Sequence, residues 1–199
     1  MPPFVGVAGL LVAAAAIDVW DRRDNESKDD YSEPHNEYMD ALTRSKISGA
    51  WRYSDAQSGR KRVEAAIEAA LEGLDADQRA QLDERLRSEL VPDEDQSIEL
   101  ELAIDYVGIQ LPGAPVIAAA PLGQRVRWRG HPKAPQLWHS LDGRVLNQHV
   151  QFDDGTQIYR RFTVADGKLA VGVEMRSSAF AEPLRYTLHY ARVGEADLS

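Results

Sequence analysis

Three Asp-Gly pairs, Asp142-Gly143, Asp154-Gly155 and Asp166-Gly167, recur at intervals of 12 residues in a chain of 199. Asp-Gly supplies the positive φ that tight hairpin turns need. The stretches Arg144 to Phe152, Thr156 to Val164 and Lys168 to Arg176 that they delimit are each long enough for a barrel strand. Regular turns with period-two patterning predict a meander of antiparallel strands.

The same period runs through the rest of the chain from Ser97 onward. Ile98, Leu100, Leu102 and Ile104 alternate with Glu99, Glu101 and Ala103, the pattern of a strand with one dry face and one wet face. Shorter strands are expected at Tyr106 to Leu111, Pro115 to Ala119, Gln124 to Arg129 and Gln136 to His139, and a last one at Leu184 to Val193 after the turn at Glu182-Pro183. Ile47 to Tyr53 reads as the first strand, with Gly59 breaking the chain after it. Val63, Ala66, Ile67, Ala70, Leu71 and Leu74 then follow at helical spacing, with Gly73 at the stop. Asp75 with Gln78 three residues on caps a second helix, whose stripe is Leu82, Leu86 and Leu90 and whose end is Pro92. The fold class predicted is mainly β: a closed antiparallel up-and-down barrel of about ten strands, with a helix-turn-helix at 60–91 inserted after the first strand. Closure removes the exposed edges that long strands would present; a β-sandwich is the other architecture compatible with the pattern.

Residues 47–193 form the predicted barrel. Ahead of it, Phe4 to Ile17 is a run of 14 apolar or glycine residues, shorter than the roughly 20 a spanning helix takes. Residues 1–17 read as a signal peptide with small residues at Ala14-Ala15-Ala16, although Met1-Pro2-Pro3 ahead of the apolar run hold no Lys or Arg. They also read as an apolar anchor flanked by Arg22 and Arg23, or as a buried segment of a cytosolic protein. Residues 18–46 read as a polar tether, with a helical turn near Glu37 to Leu42, and 194–199 as a tail. The expected location is exported, periplasmic or membrane-tethered, with the cytoplasm as the other option.

The layout resembles the calycin superfamily, and within it the fatty-acid-binding-protein fold of ten strands with a helical lid between the first two. Gly49-Ala50-Trp51 is similar to the Gly-x-Trp of the first lipocalin strand. Arg192 is similar to the arginine that packs across that tryptophan and closes the barrel. The resemblance therefore implies that Trp51 and Arg192 serve barrel closure through a cation–π contact. One departure is plain: intracellular fatty-acid-binding proteins hold a carboxylate with Arg-x-Tyr on the last strand, whereas here the order is Tyr190-Ala191-Arg192. The segment Arg176 to Arg192, with Pro183-Leu184-Arg185-Tyr186, also resembles the C-terminal end of exported bacterial lipocalin-like proteins.

Function follows from which face of the last strand turns inward. Tyr186, Leu188, Tyr190 and Arg192 share one face; turned inward, two phenols and a guanidinium line a cavity otherwise made of Val, Leu and Phe. With Trp128 and Phe162, Tyr186 and Tyr190 are the candidate ligand-binding residues. They suit a small hydrophobic or amphipathic molecule with an anionic or hydroxyl head, admitted by helices acting as a gate. The other reading is an envelope interaction or inhibitor module with a filled core and a protein partner. No catalytic residue, metal or cofactor is expected. The chain has no cysteine, no nucleophile elbow and no phosphate loop, and His131, His139, His149 and His189 lack ligand spacing and read as surface or strand-face residues. Asp153 and Asp154 read as turn formers. A formal net charge of -9 argues against nucleic acid as a partner. Arg125, Arg127 and Arg129 form a basic stripe, expected to be solvated and to pair with Glu99 and Glu101.

Overall fold

The computed structural model describes residues 41–114 and 116–194. The apolar run at 4–17, most of the tether and all of the tail but Gly194 lie outside these residues. A short helix α1 (Ala41–Ile47) leads into β1 (Gly49–Tyr53). Two helices follow, α2 (Ala56–Ala70) and α3 (Ala76–Leu90), and then nine strands: β2 (Ser97–Leu102), β3 (Tyr106–Gln110), β4 (Ala118–Pro121), β5 (Val126–Arg127), β6 (Gln136–Asp142), β7 (Val145–Gln151), β8 (Gln157–Ala165), β9 (Lys168–Arg176) and β10 (Leu184–Arg192). The strands form one antiparallel sheet in the order β4-β3-β2-β1-β10-β9-β8-β7-β6-β5. Its two end strands come back toward each other. Leu122 bridges His139, and Gly123 N–H donates to the His139 carbonyl at 2.8 Å, so the sheet curls into a nearly closed ten-stranded barrel.

Alternation decides what fills it. Ile98, Leu100 and Leu102 turn inward from β2 and are buried, while Glu99 and Glu101 face water. Leu137, Leu146, Phe162 and Leu169 do the same from β6, β7 and β8 and from the start of β9. Val63, Ile67 and Leu71 of the α2 region and Leu86 of α3 join the same buried cluster, so the helices seal onto the barrel core. The two helices are tied to each other by Glu68, which accepts from Arg79 and Arg87 at 2.7 Å each. Asp75 caps α3 by accepting from Gln78 N–H at 2.9 Å. This cap satisfies one of the donors a helix start leaves open.

Several boundaries differ from the sequence reading. The first strand begins at Gly49 rather than Ile47, because Ile47 ends a helix whose apolar side the barrel buries. The end of the expected tether, residues 41–46, is therefore helical. Gly59 does not break the chain: it lies inside α2, where its missing Cβ makes room for Tyr53, whose hydroxyl donates to the Asp55 carbonyl at 2.8 Å. A Cβ there would sit 1.9 Å from the Tyr53 oxygen and 2.9 Å from Cζ. Gly59→Ala is therefore expected to cost about 1–3 kcal/mol of stability by overpacking, read as a lower urea midpoint; an unchanged midpoint would refute the contact. The fourth strand runs Ala118–Pro121 rather than from 115, the fifth shrinks to Val126–Arg127, and the sixth extends to Asp142. β5 pairs with β6, and β4 and β3 stand between it and β2 around the ring, so among the described residues the arginine stripe does not pair with Glu99 and Glu101. Instead Arg127 bonds Asp153 at 2.9 Å, and Arg125 stacks over Trp138 at 4.4 Å.

Candidate functional site

β1 is too short to cover β10, pairing only with residues 190–192. The free edge above is taken over by the helical cap. Ser54 N–H donates to the His189 carbonyl at 3.0 Å, and Arg62 Nε donates to the Thr187 carbonyl at 2.8 Å. Arg62 also forms an ion pair with Asp55, which contacts Ser58 Oγ and lies 3.0 Å from His189 Nδ1. Burial works to raise the Asp55 carboxyl, but hydrogen bonds from Ser58, Arg62 and His189 outweigh it and hold the pKa below its ordinary value. A depressed carboxyl stabilises the fold above its unfolded pKa of 3.8 and loses that contribution as pH falls through the lower folded value. Asp55→Asn is thus expected to lower stability at pH 7 by on the order of 1 kcal/mol, with the difference from wild type fading as pH falls below 3.8 in urea titrations.

At the opposite end, Trp51 stands opposite Arg192 in the β1–β10 register, and the guanidinium lies 4.9 Å from the indole ring. Arg192 also donates to the Ser45, Lys46 and Ser48 carbonyls at 3.0, 2.7 and 2.9 Å, and Trp51 Nε1 donates to the Ile47 carbonyl at 3.0 Å. The open C-terminus of α1 is thereby satisfied.

Inside the barrel, β10 turns Tyr186, Leu188 and Tyr190 inward. Tyr190 is 2 % exposed, packs 5.7 Å from the Tyr53 ring and accepts from Gln96 Nε2 at 3.3 Å. Phe162 is fully buried beside them on β8. Trp128 stands apart, at the junction of β4 and β5, with its indole N–H donating to the Ile117 carbonyl at 3.0 Å.

The sequence reading missed the group at the centre. Arg160 lies on the inward face of β8 between Ile158 and Phe162, an arginine in the apolar phase of an alternating strand, and that phase was the signal. Its NH1 donates to Gln148 Oε1 at 2.9 Å. Because a guanidinium only donates, Oε1 faces Arg160, and the Gln148 amide Nε2 therefore faces His139 Nε2 at 3.3 Å. An amide NH₂ only donates too, so His139 Nε2 accepts and the ring proton resides on Nδ1. His139 is thus an interior residue, not a surface one, and its pKa falls to about 3, first through burial and then through repulsion from His149. Nδ1 has no partner in hydrogen-bond geometry; the neighbouring Ala120 backbone only weakly favours the charged ring.

Arg160 has no carboxylate partner among the described residues. Burial pushes its pKa down, and the Tyr186 and Tyr190 hydroxyls are the groups that act against this. Burial also pushes Tyr186 up to about 12, and it raises Tyr190, with repulsion from Tyr186 and Tyr53 adding to it. Both phenols are therefore neutral donors at physiological pH. Arg160 and Tyr186 are only half-buried by area, yet burial dominates both shifts. No three His, Asp or Glu side chains gather into a metal-sized cluster among the described residues.

No protein-family model matches the sequence, and no curated protein matches it. Solved structures do. Secretory abundant heat soluble protein 4 from Ramazzottius varieornatus superposes with a TM-score of 0.51 at 12% identity, over 75% of this chain and 96% of that one. The likeness is of fold: a ten-stranded antiparallel up-and-down barrel with a helix pair after the first strand. Lipid binding protein 8 of Caenorhabditis elegans is similar at a TM-score of 0.47 and 10% identity, over 75% of this chain and 96% of that one. The fatty-acid-binding protein of Manduca sexta is similar at 0.42 and 14%, over 73% and 99%. At these identities the likeness is one of fold, so the chemistry of this barrel has to be read from its own interior.

Proposed function

We propose that the barrel binds a small amphipathic molecule with an anionic head and an apolar body, without catalysing a reaction on it. The observation that carries this reading is Arg160: an inward-facing guanidinium whose one polar bond among the described residues is to a neutral glutamine. A buried cation without a counter-charge is costly. A carboxylate, sulfonate or phosphate would supply that charge, with the neutral Tyr186 and Tyr190 hydroxyls as further donors and Phe162, Val173 and Leu188 around the tail. Two of the similar barrels are named for lipid or fatty-acid binding, but the ligand class proposed here rests on Arg160. Export or tethering through the apolar run at 4–17 belongs to the same reading and places the carrier in an envelope compartment.

The test is a fluorescence titration with dansyl-labelled undecanoic acid and its methyl ester, which share a tail and differ in charge. A charge-assisted bond predicts that the acid binds about 10- to 100-fold more tightly. Equal affinity would remove the role of Arg160, and no binding of either probe would turn the reading to an interaction module with a packed interior.

A further inference from the structure

Strand pairing also lapses where the two ends of the sheet order meet. Toward the bottom the Leu122–His139 bridge closes the junction. Higher up, β4 and β5 do not pair, and a cleft of about 510 Å³ opens between them, lined by Ile117, Ala119, Val126, Arg127, Trp128 and Arg129. The hydrogen bond from Trp128 Nε1 to the Ile117 carbonyl spans it. Trp128 lines the cleft and is also part of the buried core, at 6 % exposure, so its indole is what separates the cleft from the interior.

The helical cap, by contrast, is held at several points. Arg62 grips the Thr187 carbonyl and Asp55, Asp55 contacts His189, and Ala181 N–H donates to the Ala70 carbonyl at 3.2 Å. Val63, Ile67 and Leu71 have no exposed surface to give up gradually. Lifting the cap therefore costs a charged cluster and an apolar face of two helices at once, while opening the junction moves one buried ring, with its neutral hydrogen bond to Ile117 and its 4.7 Å contact with the His131 ring.

We propose that ligand enters and leaves the barrel through the β4–β5 junction rather than under the helices, with Trp128 as the gate and Arg129 as the first contact for the anionic head. This rests on the reading that the barrel binds such a ligand. The mouth of the cleft matches that chemistry. Ile117 is 50 % exposed, offering apolar surface. Arg127 is occupied by Asp153 and the Ala134 carbonyl, whereas the exposed Arg129 meets no carboxylate among the described residues.

Stopped-flow binding of dansyl-labelled undecanoic acid to the full chain decides the matter, with three variants. Trp128→Phe keeps a ring but loses the N–H; association and dissociation rates are both expected to rise about 2- to 10-fold, with the ratio nearly constant. Arg129→Glu, a surface change that leaves the core intact, is expected to slow association of the acid but not of its methyl ester, and to leave dissociation unchanged. Arg62→Gln loosens the cap and is expected to leave both rates where they are. Rates that rise with Arg62→Gln and stay fixed with Trp128→Phe would overturn the proposal in favour of a helical gate. If the probe binds but Arg160→Met leaves its affinity intact, the head-group reading falls while the rates still decide the route. A wild type that takes up no probe overturns both.

Discussion

Arg160→Met is expected to weaken binding of an anionic amphiphile about 10- to 100-fold and, in the ligand-free protein, to leave stability unchanged or raise it. The two halves have one cause. Arg160 sits deep on the inner face of β8 with a single bond to Gln148 and no carboxylate among the described residues. A charge-assisted hydrogen bond to a ligand head contributes about 1.5–3 kcal/mol, and removing it loses that much affinity. In the empty barrel the same charge is an uncompensated desolvation cost. Replacing buried ionic groups by apolar ones of similar size is often neutral or stabilising by about 1–4 kcal/mol. Against that stands Gln148 Oε1, which loses its donor at a cost of about 1 kcal/mol. Isothermal titration gives the first half and thermal unfolding without ligand gives the second. A variant that binds as well as wild type, or that is strongly destabilised when empty, would show Arg160 to be a structural residue.

The second large effect is on acid stability, and it comes from His139. In the unfolded chain this ring takes up a proton near its ordinary 6.5, but in the fold it stays neutral until about pH 3. Between those values the unfolded state holds one proton more, so stability falls as pH falls, by about 1.4 kcal/mol for each pH unit at full effect. The loss accumulates to several kcal/mol by about pH 3, a large fraction of the 5–15 kcal/mol a domain has. His131 is depressed too, first through burial and then by Lys133, and adds in the same sense. His139→Gln keeps an acceptor for the Gln148 amide and cannot be protonated. Urea unfolding from pH 7 to pH 3.5 is expected to show a slope smaller in the variant by about one proton. Parallel curves for the two proteins would refute the buried neutral histidine. This window opens near pH 6.5, well above the 3.8 at which Asp55 begins to lose its contribution, so the His139 effect is met first as pH falls.

Much of the barrel was legible in the residues themselves, because strand alternation is local. Glu99 and Glu101 flanking Leu100 state which way β2 faces whatever it pairs with. Gly143, Gly155 and Gly167 all take the positive φ their hairpins demand. Asp75 caps its helix from three residues away. Tyr186 and Tyr190 could be placed on one face together for the same reason. What no local pattern could state is which faces meet across the barrel. Gly59 looked like a breaker because its reason for being glycine, the Tyr53 hydroxyl, arrives from another element. The arginines at 125 and 127 found Trp138 and Asp153 rather than the glutamates, since partners are set by strand order around the ring. Arg160, Gln148 and His139 come from three neighbouring strands, 12 and 9 residues apart along the chain, and line up only because hairpin register stacks β6, β7 and β8 side by side. The sequence by itself determined the ten strands, their turns and their inward phase, through dihedral preference and alternation. Only the tertiary structure decided that one of those inward positions is a cation that meets no carboxylate among the described residues, because pairing and depth are properties of the closed barrel and not of any strand within it.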